Sequence, residues 1–321
     1  MTKKIVTIVG ATGNQGISVI NALSSKAEFH LRGLTRNPSS EQAQALAARG
    51  VEIVQANIDD PSSIKSALAG SHIIYAITDF FETFARSDAT EARAVETRHG
   101  VTLAEAAAAI PTLEHYIWST LPDFEVLTGG KYPVPHAQSK VDVDLHIRRD
   151  LPDLAAKTTF LWITYYSSNF LIPVNAPVFV ESANAWVHIQ PVGPDTPIVS
   201  IGDIRVNAGK FVEAIIQQRE KTIGGKVVLA EVETLTADEL LQRWAKVKGL
   251  KAVYLQTGLD VYQALWPKWS EEVGVMLQAF EFLGKKKWTS AHGEEMLTKE
   301  DLSITGLLGL DDAYKALKLP E

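Results

Sequence analysis

The sequence predicts an α/β fold: a doubly wound parallel sheet with a smaller, mostly helical C-terminal lobe. Three observations carry this reading. A β-branched run, Lys4 to Val9, ends in a glycine-rich turn and gives way to apolar residues at helical spacing from Ile17 to Leu23. Short apolar runs then alternate with alanine-rich helical stretches, as parallel strands with crossover helices do. Beyond Tyr165 the alternation breaks into segments containing Pro173, Pro177, Pro191, Pro194 and Pro197.

Taken in order, further strands are expected at Phe29 to Leu34, Val51 to Gln55 and His72 to Ile77, with helices at Glu41 to Arg49 and Ser62 to Ala69 between them. A long helix from Ala92 to Ile110 is stopped by Pro111, and His115 to Ser119 supplies the fifth strand. Pro133 and Pro135 hold the chain extended before a helix from Lys140 to Arg149, and a sixth strand follows at Thr158 to Thr164. Helices return at Gly209 to Gln218 and Thr236 to Lys248, with a short strand at Lys226 to Leu229. The expected division is a dinucleotide-binding unit of residues 1–165 with 198–231, and a lobe of residues 166–197 with 232–321.

The chain has 321 residues, 46% hydrophobic and 21% charged, ordinary values for a globular protein. Its formal net charge of −7, with scattered basic residues, disfavours direct nucleic-acid binding. There are no cysteines, which excludes disulfides and thiolate chemistry, and no apolar run approaches a membrane span. With no signal peptide recognised, a reducing compartment is expected: the cytoplasm, with the nucleus as a second location. The eight histidines show no metal-ligand spacing, so no metal is expected. Ser119 lacks the G-x-S-x-G elbow of a hydrolase.

The turn reads Gly10-Ala11-Thr12-Gly13-Asn14-Gln15-Gly16. In this Rossmann-type arrangement Gly10 permits the tight turn, Gly13 lets the backbone approach a pyrophosphate and Gly16 lets helix and strand pack closely. The helix N-terminus offers free N–H groups to phosphates, and Thr12, Asn14 and Gln15 add polar side chains at that mouth. After the second strand, where NAD binders usually place an acid, stands Thr35-Arg36-Asn37-Pro38. The Arg36 guanidinium matches a ribose 2′-phosphate, with no acid nearby expected to repel it, so the expected cofactor is NADP(H). A solvated loop arginine is the plainer alternative.

These motifs, with Asp59-Asp60, Thr78-Asp79-Phe80-Phe81, His136-Ala137-Gln138-Ser139-Lys140 and Tyr166-Ser167-Ser168-Asn169-Phe170, resemble the NmrA-like family of atypical short-chain dehydrogenases/reductases over nearly the whole chain. The resemblance adds Asp59 and Thr78 to the expected cofactor contacts. It also implies two classes of function: NADP(H)-dependent reductases of quinones or phenolic compounds, and redox sensors that bind the dinucleotide and a protein partner without turnover.

Short-chain reductases use a Ser, a Tyr and a Lys. Here Ser119 ends the fifth strand and Lys140 holds the Lys position, where it would bond the nicotinamide ribose, but His136 stands in the Tyr position. An imidazolium can donate a proton near neutral pH, so His136 is a candidate acid, with a helix-start surface histidine as the alternative. Tyr132 is a second candidate for the missing phenol. Tyr165, Tyr166 and Asn169 follow the sixth strand, at the carboxyl edge where open α/β sheets bind ligands, and are expected on the substrate side. Phe80, Phe81 and Phe84 would wall the nicotinamide pocket or belong to the core. The expectation is therefore an NADPH-dependent reductase of a small carbonyl, enone or quinone, with an NADP(H)-sensing regulator as the alternative. Substrate identity and oligomeric state stay open.

Overall fold

The computed structural model describes residues 2–286 and 288–318. Its centre is an eight-stranded, wholly parallel sheet of β1 (Lys4–Ile8), β2 (Phe29–Thr35), β3 (Glu52–Gln55), β4 (Ile73–Ala76), β5 (His115–Thr120), β6 (Thr158–Ile163), β7 (Lys226–Ala230) and β8 (Met296–Leu297). The spatial order is β8-β7-β6-β5-β4-β1-β2-β3. Both β5 and β6 are buried along their whole length, as expected of parallel strands covered on two faces. Strand order reverses between β1 and β4, and such a switch point opens a crevice at the carboxyl ends of the strands.

Helices cover both faces. On one, Asn14–Leu23 lies against Ile204–Gln217; on the other, Ala89–Ala108 packs between Pro61–Leu68 and Pro135–Asp150. The first crossing is unusually close, because a Cβ placed on Gly209 would lie 2.1 Å from the Ser18 carbonyl oxygen. The Gly209 N–H also donates to Ser18 Oγ at 2.8 Å. Several helices start where a short polar side chain caps them: Asp60, Asp88, Asp203, and Thr236 in a capping box with Glu239.

Some boundaries differ from expectation. The helix expected from Gly209 begins at Ile204, because Asp203 caps it. The helix expected from Lys140 begins at Pro135, since proline at the first helical position gives up an N–H that has no partner there. The proline-rich stretch also contains two strands. Ala185–Gln190 pairs antiparallel with Val178–Val180 and parallel with Ala252–Gln256. Its prolines bracket the alternating run Trp186-Val187-His188-Ile189 rather than interrupt it. A second small sheet joins Pro197–Gly202 to Glu233–Thr236 and Tyr165–Tyr166. The C-terminal part is otherwise helical. One crossing of the expected division stands out: β8, from the stretch assigned to the lobe, completes the main sheet beside β7. No helix among the described residues is long and apolar enough to cross a membrane.

Candidate functional site

A cleft of ≈ 1030 Å³ runs across the carboxyl ends of the strands, from the glycine turn to the C-terminal lobe. Of the residues singled out by sequence, Gly10, Thr12, Gly13, Asn14, Gln15, Gly16, Arg36, Asp59, Thr78, Phe81, Ser119, His136, Lys140, Tyr165, Tyr166 and Asn169 all line it. Tyr132 does not. Its ring lies edge-on to Phe282 at 5.6 Å with the Lys131 ammonium over it, so it is no substitute for the missing phenol.

At the glycine turn, Gly10 has φ +66°, a left-handed conformation that glycine adopts without strain. A Cβ on Gly16 would meet the Gly10 carbonyl oxygen at 2.3 Å, so the strand-to-helix contact requires its absence. Gly13 caps helix Asn14–Leu23 with no side-chain hydrogen bond, and the amides of Asn14, Gln15 and Gly16 have no partner among the described residues. Three free N–H donors at the start of a helix, facing a cleft, fit a pyrophosphate.

Gln15 itself turns inward. Its Oε1 accepts from the Tyr75 hydroxyl and, at 2.9 Å, from Ser119 Oγ, while its Nε2 donates to the Tyr166 hydroxyl. Gln15 therefore organises the cleft floor rather than the cleft mouth. Burial pushes the Tyr166 phenol up to about 12, against the lowering effect of its bond to Gln15, and burial likewise raises Tyr165. Both phenols stay protonated.

At the far side of the mouth, Arg36 is exposed and its Nη1 donates to Glu82 Oε1 at 2.7 Å. The sequence reading expected no acid there; the fold brings Glu82 across from the turn Phe81–Phe84, and Arg86 shares the same carboxylate at 3.1 Å. The Glu82 hydrogen bond raises the Arg36 guanidinium further, so its charge is permanent. Asp59 bonds His99 Nε2 at 2.7 Å, which holds its carboxyl below the usual range.

The centre of the cleft holds two basic side chains, each paired from behind with a glutamate. Lys140 Nζ donates to Glu96 Oε1 at 2.6 Å, to Thr78 Oγ1 at 3.2 Å and to the Thr78 carbonyl at 3.3 Å. Glu96, buried on helix Ala89–Ala108, also accepts from Thr78 Oγ1 at 2.7 Å and from Ser139 Oγ. His136, on the first turn of helix Pro135–Asp150, pairs through Nδ1 with Glu272 of the π-helical segment Ser270–Gly274. Phe81 stacks on Trp269 at 5.8 Å and 23° and leans on the His136 ring at 5.4 Å. Phe80 and Phe84 are buried behind it and belong to the core.

Past His136 the cleft becomes apolar, lined by Leu121, Phe124, Ile172, Met276, Phe280 and Trp288, with Asn169 and Asn175 as polar points. Sequence reasoning missed Glu96, Glu272, Glu82 and Trp269. No local signal marks them, since Glu96 stands in a helix that also carries the surface acids Glu91 and Glu105. Among the described residues no cluster of three or more potential metal ligands exists.

Comparison with known proteins places this geometry. The model of the NmrA-like family matches residues 2–302. The NmrA-like family domain-containing oxidoreductase hkm9 of Aspergillus hancockii is 30% identical over 261 residues, 78% of this chain and 74% of that protein. Among solved structures, the negative transcriptional regulator NmrA in complex with NADP superposes with a TM-score of 0.73 at 20% identity, covering 99% of this chain and 96% of that one. The Citrobacter sp. triphenylmethane reductase complexed with NADP(H) gives a TM-score of 0.68 at 19% identity, covering 97% and 98%.

Proposed function

The chain belongs to the NmrA-like family, and from that premise we propose that it is an NADPH-dependent reductase of a small, uncharged, apolar or aromatic carbonyl, enone or quinone. The observation that carries the reading is the sequence of surfaces along one cleft: free helix amides, then His136 and Lys140, then an apolar chamber. Each surface suits one part of a ternary complex.

The glycine turn would hold the pyrophosphate and Arg36 the 2′-phosphate. Lys140, anchored by its short bond to Glu96, would exchange its longer bonds to Thr78 for the hydroxyls of the nicotinamide ribose. When bound, the reduced cofactor supplies a hydride. The chain's own part is to place the acceptor, exclude water from it and deliver a proton. Phe81 and Trp269 give a flat wall against which a planar ring packs, and the chamber offers no charged side chain to a charged substrate. Of the polar hydrogens at the centre, that of Ser119 is committed to Gln15, and burial, which pushes the Tyr166 phenol up to about 12, makes that phenol a poor acid, so we assign the proton to His136.

A second reading rests on that same commitment. With Ser119 and Lys140 tied to protein partners and no tyrosine at position 136, the site also suits a regulator that binds NADP(H) without turnover and presents a cofactor-dependent surface to a protein. The deciding experiment follows NADPH oxidation across quinones, enones and ketones. Turnover abolished by Lys140→Ala supports the reductase; NADPH binding with no turnover on any acceptor overturns it in favour of the regulator.

A further inference from the structure

We propose that Glu272 is a positioning residue that makes His136 the proton donor of the reductive step; this rests on the reductase reading above. The two residues come from opposite walls of the cleft, 136 positions apart in the chain. Glu272 Oε1 accepts from the backbone N–H of His136 at 3.3 Å and also pairs with the ring at Nδ1. Two contacts from one residue to a single oxygen fix both the helix start and the plane of the ring. They also fix the tautomer: the Nδ1 hydrogen points at Glu272, and Nε2 is the atom left for the cleft. Nε2 has no hydrogen-bond partner among the described residues, although the side chain is 12% exposed and lines the cleft.

Glu272 is fully buried, and its second oxygen has no hydrogen-bond partner. A buried carboxyl group needs a polar partner, and among the described residues His136 is the one that faces Glu272, through both its backbone N–H and its ring. The other charged groups on the packed elements are engaged elsewhere or turned away. On the same helix Lys140 is held by Glu96 and Asp142 by Arg93. On the turn Phe81–Phe84, Glu82 is held by Arg36 and Arg86, and Asp79 caps the amides of Phe81 and Glu82. Beside Glu272, Lys268 donates to the Ala85 carbonyl and Glu271 is exposed.

The chemistry balances with one hydride and one proton. As the acceptor carbon gains the hydride from NADPH, its oxygen gains negative charge. The Nε2–H bond breaks and an O–H bond forms, leaving NADP⁺, the reduced product and a neutral imidazole still donating from Nδ1 to Glu272. Water entering the emptied cleft returns the proton. The same carboxylate thus orients the donor before transfer and favours its recharging afterwards.

The test uses the full-length protein and Glu272→Gln, which keeps the volume and a carbonyl oxygen but removes the charge. With NADPH and a simple para-quinone, kcat in Glu272→Gln is expected to fall about tenfold to a hundredfold while NADPH affinity is unchanged. The alkaline fall in kcat should move to lower pH, and titration of the His136 ring by nitrogen NMR should move with it. His136→Asn should lose at least as much kcat, and adding Glu272→Gln to it should cost little more. Retained NADPH binding certifies that each variant is folded, and Glu272→Asp, with the charge restored, should recover part of the rate should Glu272→Gln fold poorly. Turnover with an unmoved pH profile, or full additivity of the two substitutions, overturns the role of Glu272 while leaving the reductase reading intact. No turnover in the unaltered protein, with the NMR difference present, instead overturns the reductase reading and the proton-donor role with it.

Discussion

Replacing Arg36 separates the two nicotinamide cofactors more cleanly than any other single change. In the structure its guanidinium meets Glu82 at 2.7 Å, but the two side chains are 66% and 37% exposed. An exposed pair of this kind contributes about 0–1 kcal/mol, so a 2′-phosphate displaces Glu82 at small cost. Charge-assisted hydrogen bonds from Arg36 to that phosphate contribute about 1.5–3 kcal/mol. At 1.4 kcal/mol per decade, Arg36→Ala should raise the Kd of NADPH about tenfold to a hundredfold. NADH, which lacks the phosphate, should be affected less than about threefold, within the 0.6 kcal/mol scale of thermal energy. Glu82→Gln should act in the opposite sense, because it removes a carboxylate beside the incoming dianion. The gain is at most about fivefold, bounded by the value of an exposed pair, and it shrinks as salt screens it. Calorimetric titration of both cofactors into the three proteins at two ionic strengths measures all of this. If Arg36→Ala weakens NADH and NADPH alike, or neither, Arg36 does not read the 2′ position and the assignment of the cleft mouth is wrong.

Two further outcomes follow from packing and burial. Gly209→Ala puts a methyl 2.1 Å from the Ser18 carbonyl oxygen, and backbone cannot yield as a side chain does; a loss of about 1–3 kcal/mol is expected in urea unfolding, and an unchanged midpoint would contradict the close crossing. Asp144 and His188 should give opposite pH dependences. Burial holds the Asp144 carboxyl well above its ordinary 3.8, so its contribution is full below that value and drains away as pH rises. Asparagine mimics the neutral acid toward Trp118 and Thr120, so Asp144→Asn should gain stability over the parent as pH rises toward neutral. Burial lowers His188 from 6.5 to about 4, so its contribution is full above 6.5 and is lost as pH falls toward 4, on the order of 3 kcal/mol. Unfolding curves of Asp144→Asn and His188→Gln across the acid range check both signs.

What could be read from the sequence divides along a physical line. Gly10 to Gly16, β1 and the helix behind the turn are local: a β-branched run, three glycines and a 3.6-residue period specify them within about 20 residues. Arg36 was legible as a candidate because the match of a guanidinium to a phosphate lies in its own charge and shape. Lys140 and His136 were found by position, but what surrounds them was not, since Glu96 and Glu272 reach them from 44 and 136 positions away. An acid in an alanine-rich helix looks the same whether it faces water or a buried ammonium. The small sheets escaped for a related reason: Ala252–Gln256 finds its partner Ala185–Gln190 only through the tertiary fold, and two-residue β8 is too short to carry a periodic signal.

The brevity of β8 has a consequence for how the molecule is made. Met296–Leu297 follows every other strand of the sheet in chain order and comes from within the stretch assigned to the lobe. Until Met296–Leu297 is in place, the outer edge of β7 is an open row of amides and carbonyls. The sheet and the C-terminal part, which share the walls of the cleft, are stitched together by that seam. A chain cut short before it would present a naked strand edge to its neighbours, and a protease nick in the lobe would loosen the sheet as well.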